Sequence, residues 1–226
     1  MRILSIGKTI QHDTLNITSI EASALQAHPE IETYHYIIVS GGDGTIRRVI
    51  KALQGIQHSA IFILNPIGSF NVVAKLHKVP KIKNILDSLA NEETLKSQKH
   101  HYFTLNEEVF LFSAGNMGDL QHIFLSETLR FGVLKGSMFK YVLASLLLLP
   151  IHLIMTPFML LSSQRFFIFT PAGFIKKFGS FYGEVQEMTI DLENDFNFVE
   201  LDGDVVTIQE SILHIKPAGY ISIVTK

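Results

Sequence analysis

Apolar residues in the first half of the chain fall into two successive strand–loop–helix patterns. An apolar run rich in β-branched residues at 34–40 predicts a buried strand, and apolar residues recur at helical spacing over 46–53. A second apolar run at 60–64 predicts the next strand, followed by a turn at 65–68 and a helix that begins at 69–71. We expect both loops at the carboxyl edge of one parallel sheet, where open α/β folds bind ligands.

The first of these loops contains the run Gly41-Gly42-Asp43-Gly44-Thr45, and we expect its helix to begin near Thr45. Glycines let the backbone turn without a Cβ and let N–H groups approach an anion closely. The helix N-terminus directs unpaired amides and the positive end of its dipole at the same point. The pattern therefore predicts that the three glycine amides and the Thr45 hydroxyl bind phosphate, with an ordinary surface turn as the alternative.

The second half of the chain shows mostly strand patterns. We expect strands at residues 185–192, 196–201, 211–215 and 220–224, with Asp-Gly and Pro-Ala-Gly turns between them. The predicted fold is an α/β N-terminal lobe with Gly-rich phosphate loops, in residues 1–100. A smaller, mostly antiparallel β lobe in residues 101–226 follows, and it includes an apolar helical segment at 137–161.

The core of that apolar segment, residues 141–161, has no Lys, Arg, Asp or Glu and is long enough to span a bilayer. Pro150 and Pro157 would each remove a backbone donor and kink a helix, which argues against a span. Three interpretations stay open: a core helix that links the lobes, a lipid-facing helix on a peripheral enzyme, and a membrane span.

Composition limits the partners and the location of the protein. The formal charge of −2 and the absence of a basic stripe with interleaved aromatic residues argue against nucleic-acid binding. The chain has no Cys, and its ten His residues show no metal-binding spacing, so we expect His100 and His101 to be solvated loop residues. Residues 1–7 are too short an apolar run for a signal peptide and predict a first strand that ends at Gly7, so we expect a cytoplasmic protein.

The two loops together resemble the diacylglycerol kinase catalytic domain family, which includes bacterial lipid kinases and sphingosine kinases. In that family GGDGT is followed by a P-x-G-T/S-x-N-x-x-A segment, which Pro66, Gly68, Ser69, Asn71 and Ala74 match. Three later segments resemble the family in the same order, at residues 110–118, 132–141 and 198–224. The last of them contains Asp202-Gly203-Asp204, similar to a late D-G-E motif with Asp in place of the usual Glu.

The resemblance implies phosphoryl transfer from ATP, with Mg²⁺, to a hydroxyl of diacylglycerol or a related lipid. It implies that Gly68, Ser69 and Asn71 close the second loop over phosphates that the first loop holds, and that Asp43 holds Mg²⁺. Asp204 would take the proton of the lipid hydroxyl, and Asp202 would orient it or hold the ion. A lipid substrate implies peripheral contact with the inner membrane surface, while the oligomeric state stays open.

Some positions depart from the family pattern. Residues 5–9 lack the family's N-P-x-S-G turn, Val72 stands where many members have Asp, and the first and second lobes are both shorter than usual. Three hypotheses therefore stay open: an ATP-dependent lipid kinase, a non-catalytic nucleotide- or lipid-binding relative, and an enzyme similar to NAD kinases, which share GGDGT.

Overall fold

The computed structural model of the protein describes residues 1–28, 30–116, 166–172, 181–182 and 187–226, together with residues 143, 146, 147 and 150. These last four are helical, and the rest of the apolar segment at 137–161 lies outside the described residues, as does the motif at 132–141. No helix in the described part of the chain is long and apolar enough to cross a membrane.

Two compact units make up the chain. Unit 1 comprises Met1–Tyr102 with Gly219–Lys226, and unit 2 comprises Phe103–Ala218. The first boundary lies close to the one expected after residue 100, whereas the last eight residues return to unit 1.

Unit 1 is a parallel sheet with helices, as the strand–loop–helix patterns predict. Its strands are β1 (Ile3–Ile6), β2 (Ile17–Ile20), β3 (Tyr36–Gly41) and β4 (Ile61–Pro66), and its helices are α1 (Asp43–Leu53), α2 (Val72–Leu76) and α3 (Ile82–Ala90). Short 3-10 helices at Ala22–Ala27 and Ile31–Thr33 connect β2 to β3. The strands run parallel in the order β2-β1-β3-β4.

Helix α1 begins at Asp43, with Gly42 as its N-cap residue, whereas the sequence predicts a start near Thr45. Asp43, Gly44 and Thr45 therefore form the first turn of the helix, and the backbone N–H of Thr45 donates to the carbonyl of Gly42 at 2.9 Å. The apolar residues of α1 are buried as expected, and they are Ile46, Val49, Ile50 and Leu53.

Two strands cross the boundary between the units along the chain. They are β5 (Ser97–Leu105) and, after the strands of unit 2, β13 (Ile212–Val224). The predicted Pro-Ala-Gly turn at residues 217–219 is wrong, because β13 is one strand of 13 residues. Its first part pairs with a strand of unit 2 and its last part runs parallel to β4, so the strand is held on either side of the Pro-Ala-Gly run in the sequence.

The expectation that His100 and His101 are solvated loop residues is wrong for His100. Both lie on β5, where successive side chains point to opposite faces, so that His101 is exposed and His100 is only 6% exposed. The Nδ1 atom of His100 lies 3.0 Å from Nε2 of His77, which is also buried. Burial lowers the pKa of His77, whereas a hydrogen bond with Gln98 opposes that shift.

Unit 2 is mostly antiparallel β structure in its described residues. Its strands are β6 (Glu108–Phe110), β7 (Ser113–Gly115), β8 (Phe167–Phe169), β9 (Phe181–Tyr182), β10 (Met188–Asp191), β11 (Asn197–Leu201) and β12 (Asp204–Ile208), with a 3-10 helix at Thr170–Ala172. Five of them form a sheet in the order β12-β11-β7-β8-β9. In the hydrophobic core of unit 2, the buried rings of Phe103 and Phe110 stack with centroids 5.3 Å apart. Strand β12 is absent from the sequence-based expectation.

Candidate functional site

The first loop, residues 41–45, and the second loop, residues 65–71, lie in direct contact in unit 1. Strands β3 and β4 pair as far as Gly41 and Pro66, and the N–H of Ile67 donates to the carbonyl of Gly41 at 3.2 Å. Beyond that point the two loops touch through glycines, since a Cβ added at Gly68 would lie 2.6 Å from the Cα of Gly42. The sequence predicts that these glycines let the backbone come close to an anion. The structure shows that they also let the two loops come close to each other.

Gly41 is constrained by the first turn of α1. A Cβ at this position would overlap the side chain of Thr45, which folds back toward it. The glycine at position 41 therefore leaves the space beside the loop backbone that the Thr45 side chain occupies.

Asp43 joins the two loops through its side chain. It is only 6% exposed, and its two carboxylate oxygens accept the backbone N–H groups of Val72 at 2.7 Å and Val73 at 3.1 Å. These are the first two amides of α2, whose own N-cap residue, Asn71, makes no side-chain capping bond. A helix begins with amides that lack intrahelical partners, so Asp43 caps α2 from a position 29 residues earlier in the chain.

The pKa of Asp43 lies above its ordinary value, because burial raises it. The N–H groups of Val72 and Val73 and the charge of Lys75 act in the opposite direction and lower it. Because the carboxylate form accepts both hydrogen bonds, the cap is strongest when Asp43 is ionised.

Asn71 closes the second loop on itself. Its Oδ1 accepts the N–H of Gly68 at 3.1 Å, and its Nδ2 donates to the carbonyl of Gly68 at 2.6 Å. Asn71 also adopts a left-handed backbone conformation with φ of 50°, which Asn tolerates better than most residues. The hydroxyl of Ser69 lies on an exposed residue next to this closed turn.

The described residues do not assemble a metal site around Asp43. Both of its oxygens already accept backbone N–H groups, and no group of three or more His, Asp or Glu side chains in the described ranges is arranged to hold a metal ion. The role of Asp43 as an Mg²⁺ ligand stays a prediction, and the geometry observed is that of a helix cap.

The acidic motif of unit 2 forms a tight hairpin. Leu201 pairs with Asp204, and the two residues between them, Asp202 and Gly203, have positive φ values of 53° and 90°. Positive φ at both central residues defines the type I′ turn, for which Asp-Gly is a favoured sequence. Asp202 therefore lies in the turn and Asp204 begins β12, half-buried, rather than both lying on one strand.

Asp202 holds a distant part of unit 2. It is 7% exposed, and its carboxylate accepts the N–H groups of Leu111 at 2.7 Å, Phe112 at 2.9 Å and Ser113 at 3.1 Å. The first two amides belong to the segment between β6 and β7, and Ser113 is the first residue of β7. The carboxylate thus satisfies three backbone donors at once.

Glu200 is a site residue that the sequence-based prediction missed. It is buried on β11, and its Oε1 accepts the hydroxyl of Ser113 at 3.0 Å and also the N–H of Gly203. The sequence does contain a sign of this role, because Glu200 lies in the otherwise apolar run Phe198-Val199-Glu200-Leu201. A buried carboxylate is rare unless a hydrogen-bond donor or a cation pairs with it.

The Asp43 cap yields a first prediction. Asp43→Asn keeps one acceptor oxygen but presents an amide group to the second N–H of α2, so we expect a loss of about 1–3 kcal/mol in the free energy of unfolding by urea. Asp87→Asn is the matched control, because Asp87 is half-exposed in the same unit and pairs only loosely with His12 at 3.6 Å. We expect the control to change stability by about 0.5 kcal/mol or less. Equal losses in both variants would contradict the capping role.

The Asp202 carboxylate yields a second prediction, for which two substitutions separate the turn from the hydrogen bonds. Asn-Gly and Gly-Gly both favour the type I′ turn, so Asp202→Asn and Asp202→Gly should preserve the hairpin. Asn keeps one acceptor oxygen, whereas Gly leaves three buried N–H groups without it. We expect a loss of about 1–3 kcal/mol for Asn and a larger loss for Gly in urea unfolding. Unchanged stability in the Gly variant would show that these hydrogen bonds contribute little.

A third prediction concerns pH. The pKa of Asp202 is raised to about 7 by burial and by the nearby charge of Glu200, against the three N–H donors that lower it. An unfolded Asp has a pKa of about 3.9, so the folded state binds the proton more tightly and the contribution of Asp202 to stability is lost as pH rises through 7. The free energy of unfolding, relative to Asp202→Asn, should therefore fall between about pH 4 and pH 7. A difference that does not change over this range would contradict the raised pKa.

Comparison with known proteins finds a family model that matches the part of the chain with the two loops. Residues 7–101 match the model of the diacylglycerol kinase catalytic domain. A search of curated proteins gives no match for the chain.

Two solved structures have a similar fold. One, described as "a putative diacylglycerol kinase" from Bacillus anthracis str. Sterne, is 12% identical with a TM-score of 0.60, and the match covers 100% of this chain and 97% of the other. A second, described as a diacylglycerol kinase from the same organism, is 14% identical with a TM-score of 0.56 and coverage of 100% and 96%. The resemblance to the diacylglycerol kinase catalytic domain family that the loop motifs predict is therefore confirmed.

Proposed function

We propose that the protein is an ATP-dependent kinase that phosphorylates a hydroxyl of diacylglycerol or a related lipid. The observation that supports this most directly is the paired loop of unit 1, in which Asp43 and the contact between Gly42 and Gly68 hold two glycine-containing loops together. The match to the diacylglycerol kinase catalytic domain covers the same residues.

The phosphate-binding role falls mainly to the first loop. The carbonyl of Gly42 accepts the N–H groups of Thr45 and Ile46, which closes the first turn of α1. The amides before them, of Gly42 and Gly44, and the Thr45 hydroxyl lie at the positive end of the α1 dipole. The amides of Val72 and Val73 are bonded to Asp43, so α2 contributes by fixing the second loop rather than by binding phosphate.

In the proposed reaction, the oxygen of the lipid hydroxyl attacks the γ-phosphorus of ATP. The bond from that phosphorus to the bridging oxygen of the β-phosphate breaks, ADP leaves, and the hydroxyl proton passes to a carboxylate. We assign the carboxylate to Asp204 because it matches the last acid of the family's late motif. Asp202 is unsuited to that task, since its oxygens are buried and accept three backbone N–H groups, and we assign it the positioning of the turn before Asp204.

A transfer assay tests this function and yields a fourth prediction. Purified protein is incubated with radiolabelled ATP and, in separate reactions, diacylglycerol, a sphingoid base and NAD, and we expect label in diacylglycerol or the sphingoid base. Asp204→Asn removes the proton acceptor and should lower turnover by about 10²- to 10⁴-fold while ATP affinity is retained. Asp195→Asn, at an exposed acid of the same unit, should turn over like the wild type.

Gly68→Ala tests the loops in the same assay. The added Cβ would lie 2.6 Å from the Cα of Gly42 and 2.9 Å from Oδ1 of Asn71, so the loops must separate and ATP affinity measured by calorimetry should fall. Gly55→Ala is the control, because a Cβ there meets nothing within 4 Å. Gly55→Ala should lower the free energy of unfolding, because Gly55 has a φ of 81° that an alanine adopts only with strain. Its ATP affinity should stay unchanged.

Three outcomes would contradict the proposal. Label in NAD alone would identify a kinase for a soluble acceptor. ATP binding without transfer to any acceptor would favour a non-catalytic relative, and full turnover of Asp204→Asn would exclude Asp204 as the base.

A further inference from the structure

Charge is divided unevenly between the two units. Unit 1 contains twelve Lys and Arg against eight Asp and Glu, a formal charge of +4, whereas unit 2 contains seven against thirteen, a formal charge of −6. The net charge of −2 conceals this division, so attraction to an anionic partner has to be considered for unit 1 separately.

The positive charge of unit 1 is concentrated in one stretch. Residues 44–86 contain seven Lys and Arg and no Asp or Glu. Four of the cations follow one another within nine residues on α2, the turn after it and the start of α3, and all four are exposed: Lys75, Lys78, Lys81 and Lys83.

The same stretch exposes large aliphatic side chains. Ile67, in the second loop, is 62% exposed, and Leu76, at the end of α2, is 51% exposed. Leu76 directly follows Lys75 and is exposed, whereas Val73 and Ala74 of the same helix are buried. We call residues 67–83 the basic segment.

We propose that the basic segment binds the surface of an anionic lipid bilayer. Lysines near such a surface are attracted by its negative potential, and aliphatic side chains beside them enter the boundary between head groups and acyl chains. Nucleic acid would attract the same lysines, but exposed Ile and Leu gain nothing from a phosphodiester backbone. The combination of cations and aliphatic side chains therefore favours a bilayer.

This surface lies within the stretch that also forms the second loop. Leu76 and Lys75 belong to α2, the helix that Asp43 caps, so a bilayer bound here would lie beside the proposed phosphate site. The proposal concerns binding alone and is measured without nucleotide, so it stands or fails independently of the kinase reaction.

The charge test uses Lys81→Glu combined with Lys83→Glu. These residues lie at the N-cap and in the first turn of α3. The positive end of the helix dipole stabilises an acidic side chain there, so the variant should fold. The control is Lys96→Glu combined with Lys226→Glu, which makes the same change at two exposed lysines of unit 1. The two positions lie close together, because the N–H of Thr225, next to Lys226, donates to the carbonyl of Lys96.

Binding is measured by co-sedimentation with vesicles of phosphatidylcholine alone and of phosphatidylcholine with phosphatidylglycerol, and thermal unfolding checks that each variant is folded. We expect the wild type to bind only the anionic vesicles. Since each lysine near the surface contributes about fivefold, the Lys81 and Lys83 variant should bind at least about tenfold more weakly, with the control within about twofold of wild type. Leu76→Gln should remove the binding that persists at high salt, because salt screens only the charge attraction.

Three results would overturn the proposal. One is a wild type that does not bind anionic vesicles. Another is a control variant that loses as much binding as the Lys81 and Lys83 variant. The third is tighter binding to duplex DNA than to vesicles, abolished by the same two substitutions, which would identify nucleic acid as the partner.

Discussion

The carboxylate of Asp43 is the interaction on which the candidate site depends. Helix α2 has five residues, too few to be stable alone, and its N-cap residue supplies no capping bond. The two hydrogen bonds from Val72 and Val73 to Asp43 provide that cap and tie the start of α2 to the first turn of α1. With α2 fixed, the second loop can pack its Gly68 against Gly42. The geometry of both loops thus follows from one buried side chain.

Unit 2 uses the same device at its own motif. Asp202 accepts the N–H groups of Leu111, Phe112 and Ser113, as Asp43 accepts those of Val72 and Val73. In each unit, an aspartate from an Asp-Gly pair satisfies backbone donors at the start of a helix or strand or in the segment before it. Both aspartates therefore hold backbone segments in place, a structural role that the motifs alone do not indicate.

Local patterns were sufficient to predict much of this architecture. The spacing of apolar residues predicts β3, α1, β4 and α2, because each depends mainly on neighbours in the sequence. The errors arise where distant residues decide. Strand β13 continues through a run of turn residues because other strands pair with it at both ends, and His100 is buried because β5 turns it inward toward His77. The hydrogen bonds of Asp202 join residues about 90 positions apart, which no local pattern could indicate.

Amide hydrogen exchange at Val72 and Val73 tests the central claim most directly. If the Asp43 carboxylate holds these two amides, both should exchange slowly in the protein without nucleotide, comparably to amides within α1, although they begin a five-residue helix. The same amides should exchange much faster in Asp43→Asn, while those of α3 keep their rates. Rapid exchange of Val72 and Val73 in the wild type, or equal protection in the variant, would show that Asp43 does not hold the loops together.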